Sequence, residues 1–250
     1  MAELEDAIPF LRDSVLAVLR LHVVRPASIK KGKPRPAEIG AAFAGTAFCV
    51  AANKYLVTAH HIFNDGKARD PGDKFYAFIV PGNGERAFHF PIVGYPVERQ
   101  DLDLAVLEVG ESPIPSIRIR ELAVTFESQP DGTRVTTLGF PAPDIAGLGL
   151  NDKGEYMGGE FFLKSHANEG IVSAQYLFGG SGMYELNVGW HHGESGGPIV
   201  TLRGAPAVFS LMQHYRNIRS PHGTVAGPHR GIALSAIETE LGALGVKGVG

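Results

Sequence analysis

From residue 41 onward the chain is written in short apolar runs, each cut off by glycine, proline or asparagine before a helical period can establish itself. Residues 46–50, 55–58, 74–80, 87–93 and 104–109 form a first set, and Pro81, Gly82, Asn83 and Gly84 supply a hairpin between the third and fourth of these runs. A second set follows at 133–138, 161–165, 170–173, 183–187, 198–201, 207–212 and 231–235. Strands this short and this regularly spaced argue for barrels or a sandwich, and two strand-rich halves of similar size are what two barrels packed together produce. No internal sequence repeat accompanies the two halves.

The two ends read differently. Leu4, Ile8 and Leu11 share one side of a short helix within residues 2–12, a strand follows over 14–24, and residues 236–244 read as a terminal helix. Residues 25–40 hold Pro26, Pro34 and Pro36, with Ile29 isolated among Lys30, Lys31, Lys33 and Arg35. That segment keeps neither period and predicts a mobile surface loop, its charges forming either a solvated face or a partner-recognition surface.

Composition removes several function classes. The single cysteine, Cys49, cannot form an intramolecular disulfide, so burial and hydrogen bonds must hold the fold, which suits a reducing cytosol. With 23 basic against 26 acidic residues the chain has no global positive field, so nucleic acid is not expected as a partner. The N-terminus starts acidic and has no basic region before its apolar part, and no apolar run approaches the roughly 18–20 residues needed to span a bilayer. A soluble, cytoplasmic protein without a membrane partner is expected.

The strongest chemical string is HGESGGP, His192 to Pro198, in which Ser195 is enclosed by glycines. Acyl transfer needs backbone N–H donors aimed at a developing oxyanion, and Gly193 can adopt the backbone angles that turn its own N–H and that of Ser195 into one small hole. An ordinary glycine turn capping a strand is the bland alternative. GESGG also matches the nucleophile elbow of α/β hydrolases, but those enzymes place an acid and then a histidine after the serine. Between Ser195 and His229, the last histidine, there is no acidic residue, so any triad must recruit partners from earlier in the chain.

Two earlier strings offer them. LVTAHHIF, Leu56 to Phe63, ends a strand just before His60 and His61, which sets an imidazole beside a cleft. DLAVLEV, Asp103 to Val109, sets an acid at the head of an apolar strand, where its carboxylate can accept an N–H from imidazole. Taken singly, His61 is as well read as a surface histidine and Asp103 as a turn residue. The pairs His60–His61 and His191–His192 also invite a metal reading, but no HExxH string or cysteine cluster accompanies them, so neither a metal nor another cofactor is expected.

With GTAF (Gly45 to Phe48) and GIVSA (Gly170 to Ala174), these strings together resemble the successive signatures of trypsin-like serine peptidases, in particular the disulfide-free bacterial branch that includes the HtrA-type enzymes. The resemblance runs from about residue 41 to residue 200. It implies an all-β fold of two six-stranded antiparallel barrels packed together, the first over about 14–120 and the second over about 130–235, with short N-terminal and C-terminal helices. It also implies a serine endopeptidase with His61 as base, Asp103 rather than Asp101 as orienting acid and Ser195 as nucleophile. The amides of Gly193 and Ser195 are then the oxyanion hole, and Ser210 is the residue of the strand that pairs with substrate. A protein or peptide substrate is the implied partner, with a regulatory protein as a further one. A catalytically silent barrel that binds peptide through the same groove is the rival reading.

Three departures limit what carries over. Glu194 stands where relatives have Asp or Asn, and no zymogen-type activation sequence is present. No PDZ-like segment follows, so HtrA-type oligomeric regulation is not implied. Gly189, six residues before the serine, is not an acid, so cleavage after Lys or Arg is unsupported; Phe209, Leu211 and Met212 line either an apolar primary pocket or the core. Cys49 has no partner and is expected to be a small buried thiol.

Overall fold

The computed structural model describes residues 4–30, 33–35, 37–64, 67–213, 217–220 and 223–249. The first barrel contains β1 (Val15–Arg25), β2 (Glu38–Ala51), β3 (Tyr55–Thr58), β4 (Lys74–Ile79), β5 (Phe88–Arg99) and β6 (Leu104–Val109). They close in the order β1-β2-β3-β6-β5-β4, every neighbour antiparallel. The second barrel contains β7 (Arg134–Gly139), β8 (His166–Phe178), β9 (Ser181–Leu186), β10 (Pro198–Thr201), β11 (Ala207–Met212) and β12 (His229–Ala233). Its closed order, β7-β8-β9-β12-β11-β10, repeats the permutation of the first. The two halves therefore share a topology that their sequences do not display. Full closure leaves no open sheet edge in either barrel.

Burial follows the sequence pattern where strands are covered on both faces. In β1 the residues Val15, Leu16, Ala17, Val18 and Leu19 are all fully buried, because this strand lines the first barrel and also meets the rest of the molecule. One continuous apolar cluster runs from Leu16, Phe48 and Leu56 of the first barrel to Leu138, Val208 and Leu211 of the second, so a common core holds the halves together. A smaller cluster, including Val135, Val172, Ile199 and Phe209, fills the second barrel. Helix α1 (Leu4–Arg12) buries Ala7 and Leu11, and α2 (Glu238–Ala243) buries Leu241. Cys49 is fully buried, and burial pushes its thiol up to about 12, which leaves it a packing residue.

Several segments differ from the sequence expectation, among them Asn217–Ser220 paired with Gly223–Ala226 where no strand was expected. Ser28–Lys30 pairs with Lys33–Arg35 as a small antiparallel ribbon inside the stretch predicted as irregular loop; Lys31 and Pro36 of that stretch lie outside the described residues. Asp144–Leu150 and Tyr156–Phe162 form a hairpin where only residues 161–165 read as strand. Its local sequence is dense in glycine and weakens the strand signal, so tertiary packing has to supply the order. The Asn151 side-chain oxygen accepts from the N–H groups of Lys153 and Glu155 (both 2.9 Å) and shapes the turn.

This hairpin belongs in sequence to the second half but lies on the first barrel. Tyr156 and Phe161 meet Phe78 at ring-centroid distances of 5.3 and 5.1 Å, and Phe43 meets Phe161 at 5.4 Å, all edge-to-face. The Tyr156 amide donates to the Tyr76 hydroxyl at 3.2 Å. Replacing the buried Phe78 by Ala should therefore cost about 3–5 kcal/mol in denaturant unfolding. It should also expose residues 144–162 to limited proteolysis while the barrels stay intact.

Candidate active site

The strand β3 ends at Thr58, Ala59 stays extended, and His60–Ile62 then make one turn of 3-10 helix. At three residues per turn, successive side chains point about 120° apart, so adjacent histidines part company. His60 is buried and sits edge-on to Phe63 at 5.4 Å, while His61 faces Asp103. The distances from His61 Nδ1 to Asp103 Oδ2 and Oδ1 are 2.8 and 3.1 Å, and the His61 backbone N–H donates to Oδ1 at 2.8 Å. The carboxylate thus holds both the ring and the backbone of the same residue. With Nδ1 donating its proton to Asp103, the neutral ring presents Nε2 as an acceptor.

Asp103 reaches this position through a short turn, Gln100–Leu102, after which its own backbone is left-handed (φ 52°, ψ 46°). Aspartate tolerates that region better than most residues, and the change of direction aims its side chain back at the histidine as β6 begins. Asp101, the other candidate acid, is instead paired with Arg99, whose guanidinium holds its carboxyl below the ordinary value.

The nucleophile candidate comes from the other barrel, on the loop before β10, and is half-buried. Thr46 of β2 anchors that loop with its N–H and hydroxyl and ties it to β3 with its carbonyl. Its N–H donates to Ser195 O at 2.8 Å, its hydroxyl donates to Gly193 O at 2.7 Å and accepts from Phe140 N at 3.1 Å, and its carbonyl accepts from the Thr58 hydroxyl at 2.6 Å. Thr46 and Thr58 are both fully buried. Gly193 (φ 99°) and Gly196 (φ 86°) both have left-handed backbone. A Cβ on Gly193 would lie 2.4 Å from Phe140 O, and one on Gly196 would lie 2.2 Å from Thr46 O and 2.4 Å from Thr58 Oγ1. Neither position admits a side chain. Gly196 therefore sits against the last residues of β3, immediately before His60 and His61.

The side chains of the strand residues singled out in the sequence are turned into the interior. Ser210 is fully buried and its hydroxyl donates to Ile232 O at 2.7 Å, inside the second barrel. Phe209, Leu211 and Met212 are fully buried as well, Phe209 packing edge-to-face on Tyr184 at 4.8 Å. Gly189 is exposed, and a Cβ there would come 3.3 Å from His229 Nε2. The residue at the site end of β11 is Gln213, which the sequence reading missed: its side-chain amide donates to Leu102 O at 2.7 Å, one residue before Asp103. Residues 214–216, which follow it, lie outside the described residues.

Glu194 is the electrostatic anomaly. Its side chain is fully buried beside Ser195; one carboxyl oxygen accepts from the His191 N–H, and the other has no hydrogen-bond partner among the described residues. Burial raises its carboxyl above the ordinary value, with the His191 amide and the His191 and His166 side chains pulling the other way. Among the described residues no group of three or more His, Cys, Asp or Glu side chains is placed to hold a metal ion.

Two outcomes follow from this geometry. Thr46→Val keeps the shape but strands Gly193 O and Phe140 N in the interior, at about 1–3 kcal/mol each, which chemical denaturation would measure. For Glu194, a folded-state value above the unfolded one means protonation favours the native state, a contribution present in acid and lost as pH rises through the folded value. Glu194→Gln should therefore raise the melting temperature at about pH 8, by roughly 2–4 °C per kcal/mol relieved, and lose that advantage toward pH 5.

Comparison with known proteins bears on the same residues. A family model for the trypsin-like peptidase domain matches residues 45–206, a span that holds His61, Asp103 and Ser195. No individually curated protein sequence matches the chain. Among solved structures, the HtrA-type protease AlgW with a decapeptide is similar over 98% of this chain and 68% of its own, at 16% identity and a TM-score of 0.63. Another form of that protease, also with a decapeptide, matches over 99% and 68% at 14% identity and a TM-score of 0.62. Deg5 matches over 94% and 93% at 14% identity and a TM-score of 0.55. At these identities the likeness is one of fold. The matched span covers well over half of the sequence, and the chain belongs to the trypsin-like peptidase domain family.

Proposed function

We propose that the protein is a serine endopeptidase that cleaves peptide bonds through His61, Asp103 and Ser195. The observation that carries this reading is the His61–Asp103 pair, in which one carboxylate fixes both the tautomer and the backbone of the histidine at the foot of the strand against which the Ser195 loop is stapled. Family membership supports a protease, and the decapeptides held by the AlgW structures are consistent with an extended peptide substrate.

In the proposed reaction His61 Nε2 takes the hydroxyl proton of Ser195 as Oγ bonds to the carbonyl carbon of the substrate. Asp103 keeps Nδ1 protonated and stabilises the imidazolium that results. The carbonyl oxygen becomes an oxyanion facing the amides of Gly193 and Ser195, the first of which is turned by its left-handed backbone. The C–N bond then breaks, the leaving amine takes the proton from His61, and an ester to Ser195 remains. Water attacks the ester with His61 again accepting the proton, and the carboxylic acid product leaves with Ser195 restored.

The full chain and its Ser195→Ala variant, compared for peptide hydrolysis and for labelling by a fluorophosphonate, test the assignment. The variant should lose about a millionfold in turnover, as members of a triad that act as a unit do, and should take no label. A loss of only about tenfold, or labelling that persists, would refute it. A chain that neither labels nor hydrolyses but still binds extended peptides would mark a silent binding barrel instead.

A further inference from the structure

The two chain segments that flank Ser195 run close together. On one side residues 189–193 lead into the nucleophile; on the other β11 runs out through Met212 and Gln213. Gly196 N–H donates to Met212 O at 2.7 Å, Met212 N–H donates to Gly197 O at 2.8 Å, and Gln213 N–H donates to Arg230 O at 2.9 Å. On the peptidase reading, a peptide whose reacting carbonyl lies over Ser195, with its oxygen at the Gly193 and Ser195 amides, would send the side chain preceding the cleaved bond toward these flanking segments.

A side chain of the protein already spans the gap between these segments. Trp190 is only 4% exposed; its indole Nε1–H donates to Gln213 O at 2.7 Å and so bridges the two segments. Its backbone N–H donates to His229 Nδ1 at 3.3 Å, and its ring meets the His229 ring at 4.7 Å and 63°. Behind it the indole joins the buried cluster of Val188, Met212 and Ala233. Burial, and after it His191, lowers the pKa of His229 beside the indole. The apolar side chains that could have lined a deep pocket, Phe209 and Met212, are sealed in the same cluster.

We propose that Trp190 is the specificity-determining residue of this site: its indole fills the primary pocket, so the enzyme cleaves after small residues, glycine, alanine or serine, and rejects large ones. The proposal rests on the peptidase reading above and deepens it. A carbonyl has two lone pairs, so Gln213 O can accept the indole N–H and still pair with the backbone of a bound peptide. The indole therefore excludes side-chain volume rather than the peptide itself. A pocket of fixed volume discriminates through steric overlap, which cores resist because they are packed at crystal density.

The test is cleavage of a quenched-fluorescence peptide set, varied only at the residue before the cut bond, by the full chain and by Trp190→Ala and Trp190→Phe. The wild type should favour Ala or Ser over Leu or Phe by about tenfold or more in kcat/KM. Trp190→Ala should raise cleavage after Leu and Phe by about tenfold or more while changing cleavage after Ala by less than about threefold. Trp190→Phe, which drops the N–H but retains most of the ring, should keep the preference for small residues. Melting curves identify a variant that fails to fold. In that event the wild-type profile and the Phe variant decide: a small-residue preference in both supports the proposal, and ready cleavage after Leu or Phe by the wild type overturns it. An Ala variant that folds and keeps the wild-type preference overturns it as well. Failure of the wild type to take a fluorophosphonate at Ser195 overturns the peptidase reading and this inference together, whereas labelling with the wrong profile overturns this inference alone.

Discussion

The geometry of the candidate site depends on one buried threonine that satisfies four hydrogen-bonding groups at once. Thr46 belongs to the first barrel, yet three of its four bonds go to Ser195, Gly193 and Phe140, which lie beyond the first barrel in sequence. The fourth accepts from Thr58, at the end of the strand that carries the histidines. A buried polar group left without a partner is costly, so none of these bonds can be released singly without penalty. The loop before β10 is thereby fixed in place relative to β3 by the backbone and hydroxyl of Thr46 and the hydroxyl of Thr58 rather than by the candidate reacting side chains. The imidazole and the hydroxyl are left to their chemistry because other groups carry the positioning.

The same economy explains the glycines. Gly193 and Gly196 both need left-handed backbone, and in each a methyl group would collide with a backbone oxygen, Phe140 O for Gly193 and Thr46 O, itself an anchor, for Gly196. The site tolerates Glu194, by contrast, at a visible cost: a fully buried carboxyl with one oxygen unpartnered among the described residues. Charge at this point is disfavoured, which is why its titration and the stability of the fold are linked.

What the sequence disclosed and what it withheld divide along physical lines. Alternating and fully apolar strands are local patterns, and β3, β6, β10 and β11 lie where the runs 55–58, 104–109, 198–201 and 207–212 predict them. The pair His61–Asp103 was legible because each residue closes or opens such a run. Which residue of β11 faces the candidate site was not legible because register is not a local property: a bulge between Ile199 and Val200 sets how β10 meets β11, and Gln213, just past that strand, reaches the Leu102 carbonyl beside Asp103. The 144–162 hairpin was hidden because its glycines erase the strand signal, and the aromatic rings that hold it belong to the other barrel. Thr46 sat inside a quoted motif, GTAF, without any hint of its bonds, and Trp190 carried no sequence signal at all; both owe their roles to partners far along the chain.

The two barrels share one strand permutation, and each contributes only part of the reagent set. During synthesis the N-terminal barrel emerges first, and on the proposed assignment it carries an imidazole and a carboxylate but no alcohol to activate. On that assignment a nascent molecule is chemically harmless to its neighbours until the second barrel has folded against the first.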